Sequence, residues 1–115
     1  MLAPPLMQTV SIGLIGGGTV GGGVYKALRR NSALMASRLG VRLRVTRVAV
    51  SNLRKRRAVK FSRGMLTVDW ENVVTDPKID LVAELVGGTS VARQVALGAL
   101  RAGKSVVTAN KALLA

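Results

Sequence analysis

A run of glycines near the amino terminus constrains this chain more than any other feature of its sequence. Residues 9–15 are mostly apolar, six glycines fall within residues 16–23, and a helical pattern follows. This order predicts a strand over residues 9–15, a tight turn, and a helix from Thr19 to about Arg30. The apolar face predicted for that helix consists of Val20, Val24, Ala27 and Leu28.

Gly16, Gly18 and Gly21 have the G-x-G-x-x-G spacing of a dinucleotide-binding turn. In that pattern the first glycine permits a sharp turn, the second lets the backbone approach a diphosphate, and the third lets the helix pack against the strand. The N–H groups and the positive dipole end at the helix start also favour an anion. So many glycines would meet the spacing easily, and a plain tight turn is the alternative. The flanking strand and helix favour a cofactor site, with contacts from Gly16, Gly17, Gly18 and Gly21.

The rest of the chain alternates between strand and helix patterns. The predicted order is a helical segment at 33–39 ended by Gly40, a strand at 41–50, a loop at 58–64, a short strand at 65–68, a short helix at 70–74 capped by Asp69, a strand at 79–86, a helix at 90–102 capped by Gly103, and a strand at 104–109. This order predicts an α/β fold with a Rossmann-like doubly wound parallel sheet, and ligands at the carboxyl ends of its strands. Segments 16–21, 51–57, 87–89 and 110–111 would share that carboxyl edge.

The length and composition limit what the chain does. Its 115 residues allow one domain, so we expect residues 1–115 to form a single nucleotide-binding domain with residues 1–8 disordered. The chain has no cysteine and no histidine, which leaves acid–base chemistry to Lys, Tyr, Asp or Glu, and we predict no metal site. No apolar run approaches the ~20 residues of a membrane span, and too few residues precede the first strand for a signal peptide. We therefore expect a soluble, cytoplasmic protein.

The net charge of +13 is concentrated in the first half of the chain. Residues 1–68 contain 13 basic residues and no acidic residue. A basic Rossmann-like module that binds nucleic acid or another polyanion is therefore an alternative function. We favour a solvated, arginine-rich surface, because no aromatic residues are interleaved with the basic run.

The residues after the second predicted strand bear on the choice of nicotinamide cofactor. An Asp or Glu at this place binds the ribose 2′-hydroxyl of NAD, whereas an Arg favours the 2′-phosphate of NADP. Residues 51–57 read SNLRKRR and include no acid. We predict that NADP(H) is preferred, with NAD(H) as the alternative, and that Arg54, Lys55 and Arg57 are cofactor contacts. A solvated loop is the structural alternative for the basic run.

Three segments together resemble the homoserine dehydrogenases, specifically the N-terminal nucleotide-binding domain of that family. They are GGGTVG at 16–21, ELVGGT at 84–89 and, most specifically, VVTANKALLA at 106–115. The resemblance covers the chain from about residue 9 to its end. It implies NAD(P)-dependent interconversion of L-homoserine and L-aspartate 4-semialdehyde, in the route to threonine, methionine and isoleucine, by an enzyme that is a homo-oligomer when complete.

The resemblance also implies roles for individual residues. The backbone of Thr19 and Val20 would meet the diphosphate, Gly88 and Thr89 would lie near the nicotinamide, and Lys55 and Arg57 would form the family's basic pair. Lys111 resembles the lysine assigned to the nicotinamide site and to proton transfer, so it is the predicted catalytic residue.

The chain departs from the family pattern in three places. Ser51-Asn52 replaces a basic-acidic pair that is frequent in the family, and Gly22-Gly23 lengthen the glycine run. The family's substrate domain is missing from these 115 residues. We therefore expect a truncated chain that binds NADP(H) but does not turn over homoserine.

Overall fold

The computed structural model describes residues 8–16, 18–54, 57, 59–62, 64–86 and 90–108, and only the backbone of residues 19 and 90. Strands and helices alternate along these residues. In chain order they are β1 (Gln8–Ile15), α1 (Thr19–Arg30), α2 (Ser32–Leu39), β2 (Val41–Ala49), β3 (Leu66–Thr67), α3 (Trp70–Thr75), β4 (Leu81–Glu84), α4 (Ser90–Arg101) and β5 (Ser105–Thr108).

The strands form one parallel sheet in the order β3-β2-β1-β4-β5. The chain starts at the central strand, winds outward to β3, and then crosses to β4 on the opposite side of β1. This reversal next to β1 is the switch point at which doubly wound sheets open a crevice at their carboxyl ends. The sheet order confirms the predicted Rossmann-like α/β fold.

Each face of the sheet is covered by its own apolar cluster. Successive residues of a strand point to opposite faces, so Leu14 belongs to one cluster and Ile15 to the other. The first cluster lies under α1 and includes Tyr25, and the second lies under α3 and α4 and includes Val73 and Val95. Helices therefore flank both faces, as the doubly wound arrangement requires.

Helix ends match the residues that the sequence indicates. Gly40, with φ of 73°, ends α2, and Gly103, with φ of 78°, follows α4. The Asp69 carboxylate accepts a hydrogen bond of 3.0 Å from the Glu71 N–H at the start of α3. These caps confirm the predicted ends, because left-handed glycines and N-cap carboxylates satisfy backbone groups that a helix leaves unpaired.

The apolar face of α1 differs from the prediction. Val24 and Leu28 pack on the sheet, but Val20 is 57% exposed and Ala27 is exposed. Tyr25 is buried instead. Its ring lies 4.9 Å from the ring of Phe61, so the aromatic pair replaces part of the aliphatic face.

Several strand boundaries also differ from the prediction, for identifiable reasons. β4 begins two residues late because the Ile79 N–H donates to the Asp76 carbonyl in a turn. It ends two residues early, since the Val86 N–H donates to the Glu84 side chain. β5 begins after Lys104, whose N–H donates to Ala99 at the end of α4. β1 begins at Gln8, one residue inside the segment predicted to be disordered; residues 1–7 and 109 lie outside the described residues.

Candidate dinucleotide site

The turn between β1 and α1 requires glycine at its first and last motif positions. Gly16 has φ of 110°, a conformation that side-chain-bearing residues rarely adopt, and its N–H donates to the Ala49 carbonyl at 2.8 Å. A Cβ added at Gly21 would overlap the Gly16 carbonyl. The two glycines therefore let α1 lie directly against the turn at the carboxyl end of β1.

Gly18 is different, because nothing in the fold itself demands a glycine there. It is the N-cap of α1 with φ of −77° and ψ of −151°, and a Cβ added to it meets no atom within 4 Å. Any residue adopts this backbone conformation, and the space beside it is open. A glycine with open space at a helix start is what a ligand approaching the backbone would need.

The start of α1 has the properties of a diphosphate site. Gly18 makes no side-chain cap, the first turn of α1 contains no acidic residue, and the Gly22 N–H bonds back to the Gly18 carbonyl at 2.8 Å. The preceding N–H groups of that turn have no acceptor within the helix, and they are oriented for an anion. The described residues of the glycine turn therefore fit the phosphates of a dinucleotide.

The basic loop after β2 lies at the same carboxyl edge. Arg54 is exposed, and its N–H bonds to Asn52 Oδ1 at 2.9 Å. The guanidinium of Arg57 donates to the carbonyls of Asn52 and Leu53 and so helps to close the loop. Both arginines thus follow the strand that neighbours β1, but their side chains have different surroundings. Lys55, the third basic residue predicted there, lies outside the described residues.

On the other side of the switch point, β4 and β5 end at Glu84 and Thr108. The predicted site residues that follow them, Gly88, Thr89 and Lys111, lie outside the described residues, as does Gly17 in the glycine turn.

Glu84 is a residue of this edge that the sequence reasoning missed. Its side chain is fully buried, and it accepts hydrogen bonds from the Val86 N–H and the Thr108 hydroxyl. The available signal was a carboxylate within the apolar run IDLVAELV at 79–86.

A second polar group was also missed, under α1. The hydroxyl of Tyr25 lies 3.2 Å from Ser62 Oγ and 3.3 Å from the Arg29 guanidinium. The hydrogen bond with Ser62, helped by Arg29, lowers the pKa of Tyr25 below 10.0, although burial opposes the shift. Tyr25 belongs to the apolar cluster under α1, and its polar contacts lie there rather than at the glycine turn.

No group of three or more His, Cys, Asp or Glu side chains in the described ranges is placed to hold a metal ion. None of the helices in the described part of the chain is long and apolar enough to cross a membrane.

Comparison with known proteins gives a consistent result. Residues 16–115 match the model of a family described as homoserine dehydrogenase, NAD binding domain. The chain is 49% identical over 109 residues to a homoserine dehydrogenase of Methylobacillus glycogenes, a match covering 95% of this chain and 26% of that protein.

Solved structures agree in fold as well as in sequence. The structure of a homoserine dehydrogenase from Thiobacillus denitrificans is similar with a TM-score of 0.85 and 47% identity, covering 94% of this chain and 25% of that one. A homoserine dehydrogenase of S. aureus at pH7.5 gives a TM-score of 0.83 at 31% identity, over 90% of this chain and 27% of that chain. The chain thus spans about a quarter of the length of the relatives that it matches.

Proposed function

The chain belongs to the homoserine dehydrogenase family as a counterpart of its NAD-binding domain, and we propose that it binds NADP(H) in preference to NAD(H) at its carboxyl edge. The family match does not favour the alternative of a nucleic-acid or polyanion module. The observation that carries the dinucleotide-binding part of the proposal is the position of Gly18. Gly18 lies at the start of α1 with open space where a Cβ would be. The fold itself requires glycine at Gly16 and Gly21, but not at Gly18.

The basic loop supports the preference for the 2′-phosphate. Arg54 and Arg57 follow β2 at the edge where the adenosine ribose of a dinucleotide lies in this fold. Residues 1–68 contain no carboxylate that would repel a phosphate. A guanidinium also meets a phosphate through two parallel hydrogen bonds, which makes arginine well suited to this contact.

In the complete enzyme we propose the reaction that the family name implies, the NAD(P)-dependent interconversion of L-homoserine and L-aspartate 4-semialdehyde. When bound, the cofactor donates or accepts the hydride. The diphosphate would be bound by Gly16, Gly17, Gly18, Thr19, Val20 and Gly21. Gly88 and Thr89 would orient the nicotinamide half, and Lys111 would transfer the proton of the substrate alcohol. A role in threonine, methionine and isoleucine biosynthesis, a homo-oligomeric complete enzyme and a cytoplasmic location remain predictions.

Isothermal titration of the chain with NADPH and NADH tests this proposal. We expect tighter binding of NADPH, and we expect Gly18→Val to abolish binding of both nucleotides, because the side chain fills the space that the diphosphate needs.

Gly23→Val is the matched control, since a Cβ at Gly23 also meets no atom within 4 Å but lies on the exposed side of α1. Both variants should retain the circular dichroism spectrum of the parent chain. Unchanged NADPH affinity in a folded Gly18→Val variant would show that the glycine cluster is only a turn.

A further inference from the structure

Glu84 joins the ends of two strands through its side chain. It is 0% exposed, its Oε1 accepts from the Val86 N–H at 2.6 Å, and its Oε2 accepts from the Thr108 hydroxyl at 2.6 Å. One buried carboxylate therefore binds the segment after β4 and the last residue of β5.

The register of the sheet shows why this link matters at that point. Glu84 pairs with Thr108 as the last residues of the β4–β5 ladder. Just beyond β4, the Leu85 N–H still donates to the Ile15 carbonyl of β1 at 2.9 Å, whereas the Val86 N–H donates to the Glu84 side chain. The carboxylate thus satisfies the Val86 N–H just beyond the end of β4.

Packing alone does not explain a carboxylate here. Removing a carboxyl group from water is unfavourable unless its hydrogen bonds compensate, and an apolar side chain of similar volume would fill the site without that penalty. The residue occupies a sheet interior beside fully buried apolar residues, including Val82. Its hydrogen bonds, rather than its volume, set it apart from those neighbours.

We propose that Glu84 is a positioning residue for the nicotinamide half of the cofactor, an inference that rests on the proposed function. Val86 directly precedes the segment that contains Gly88 and Thr89, and Thr108 lies three residues before Lys111. By holding Val86 and Thr108 together, the Glu84 carboxylate sets the places from which both segments leave the sheet. Among the described residues, Glu84 makes no hydrogen bond to the glycine turn or to the basic loop. Those two segments are the proposed contacts of the diphosphate and the adenosine.

Two ligands separate this role from a general structural one. NADPH contains the nicotinamide half, whereas 2′,5′-ADP contains only the adenosine half with its 2′-phosphate. For Glu84→Leu we expect NADPH affinity to fall by about tenfold or more, because both hydrogen bonds that hold Val86 and Thr108 are lost. The affinity for 2′,5′-ADP should stay within about twofold, since the adenosine half lies at the ends of β1 and β2.

Milder variants keep the test valid if Glu84→Leu does not fold. Thr108→Val removes the hydroxyl while keeping the shape, and should weaken NADPH selectively, whereas Thr108→Ser keeps the hydroxyl and should bind like the parent. Glu84→Gln is the conservative rescue: its Oε1 can accept from the Val86 N–H while its Nε2 donates to the Thr108 hydroxyl. Dihydronicotinamide fluorescence of bound NADPH should change in Glu84→Leu and Thr108→Val, and return to the parental spectrum in Glu84→Gln and Thr108→Ser.

The possible results distinguish the inference from the proposed function. Equal weakening of both ligands, or no weakening of either, in folded Thr108→Val and Glu84→Leu would overturn the positioning role while leaving nucleotide binding intact. A parent chain that binds 2′,5′-ADP as tightly as NADPH would overturn it as well. Failure of the parent chain to bind either ligand would overturn the proposed function and the inference with it.

Discussion

Arg54 and Arg57 lie in the same loop, but the structure separates what each contributes. Arg54 extends an exposed side chain, whereas the Arg57 guanidinium donates to two carbonyls of its own loop. We expect Arg54→Ala to weaken NADPH by about tenfold or more with little effect on NADH, because one charge-assisted contact to the 2′-phosphate is lost. Arg57→Ala should weaken both nucleotides, since it also loosens the loop. Titration calorimetry of both variants checks this, and equal effects of Arg54→Ala on the two cofactors would contradict it.

Tyr25 offers a second residue-scale test, because it is the chain's single tyrosine. The Ser62 hydroxyl, with a smaller contribution from Arg29, holds its pKa below 10.0. The folded chain therefore releases the phenol proton at lower pH than the unfolded chain, so stability rises as the pH increases toward 10.0. Ultraviolet titration of the phenolate should give a midpoint below that of the unfolded chain, and Ser62→Ala should raise it. An unshifted midpoint in Ser62→Ala would show that Ser62 is not the cause.

The Tyr25→Phe variant supplies the matching stability measurement. It removes the titrating group but keeps the ring that packs on Phe61. In urea unfolding, the free energy of unfolding of the parent chain should rise as the pH increases toward 10.0. This rise should be lost in Tyr25→Phe.

At the scale of elements, α1 begins with glycines whose contribution to stability differs. Gly23 is exposed and a Cβ there meets nothing within 4 Å, whereas a Cβ at Gly22 would lie 3.1 Å from Val59 Cγ2. We expect Gly23→Ala to stabilise the fold by about 0.5–1 kcal/mol, because alanine loses less backbone entropy in a helix. Gly22→Ala should gain less or lose stability. Chemical denaturation of both variants measures the difference, and an equal gain would show that the contact with Val59 yields freely.

The elements themselves were largely predictable, because each follows a local pattern. The apolar run before Gly16 predicts β1, and the glycines at 40 and 103 predict the ends of α2 and α4. The predicted ends of β4 were wrong. At its start, Ile79 is apolar and buried but belongs to a turn. The periodicity of apolar residues identifies which side chains are buried, but it does not identify which partners the backbone N–H and carbonyl groups bond to.

The polar contacts inside the fold were not predictable for the same reason. Glu84 and Lys104 both stand in segments that read as strands, and both are buried. The Lys104 ammonium donates to the carbonyls of Asp76 and Ile79 at the amino end of the sheet. Both acceptors lie more than twenty positions from Lys104 in the sequence. Such partners depend on how the strands are ordered, which the sequence pattern does not specify residue by residue. The glycine turn was predictable because its requirement is local.

At the scale of the whole molecule, the charges are separated along the chain. All five acidic residues fall between Asp69 and Glu84, while the strand, turn and loop that carry the candidate diphosphate and adenosine contacts belong to the basic first half. A field of one sign around a site raises the local concentration of an oppositely charged ligand. The excess charge is therefore suited to attracting a polyanionic dinucleotide, and raised ionic strength should slow its association.

The last prediction concerns turnover by the 115-residue chain. Hydride transfer needs the alcohol carbon held about 3–3.5 Å from the nicotinamide, and such positioning contributes roughly 7–11 kcal/mol to lowering the barrier. This chain corresponds to only 26% of the homoserine dehydrogenase of Methylobacillus glycogenes, and the matched part is the NAD-binding domain. We expect it to bind NADPH but to show no measurable oxidation of homoserine with NADP, followed by absorbance of the reduced cofactor. If the remaining domain is supplied from a relative and activity appears, Lys111→Ala should lower kcat far more than it weakens NADPH binding. Robust turnover by the 115-residue chain alone would place the substrate site within these residues. It would refute the proposal that this chain supplies only the cofactor site.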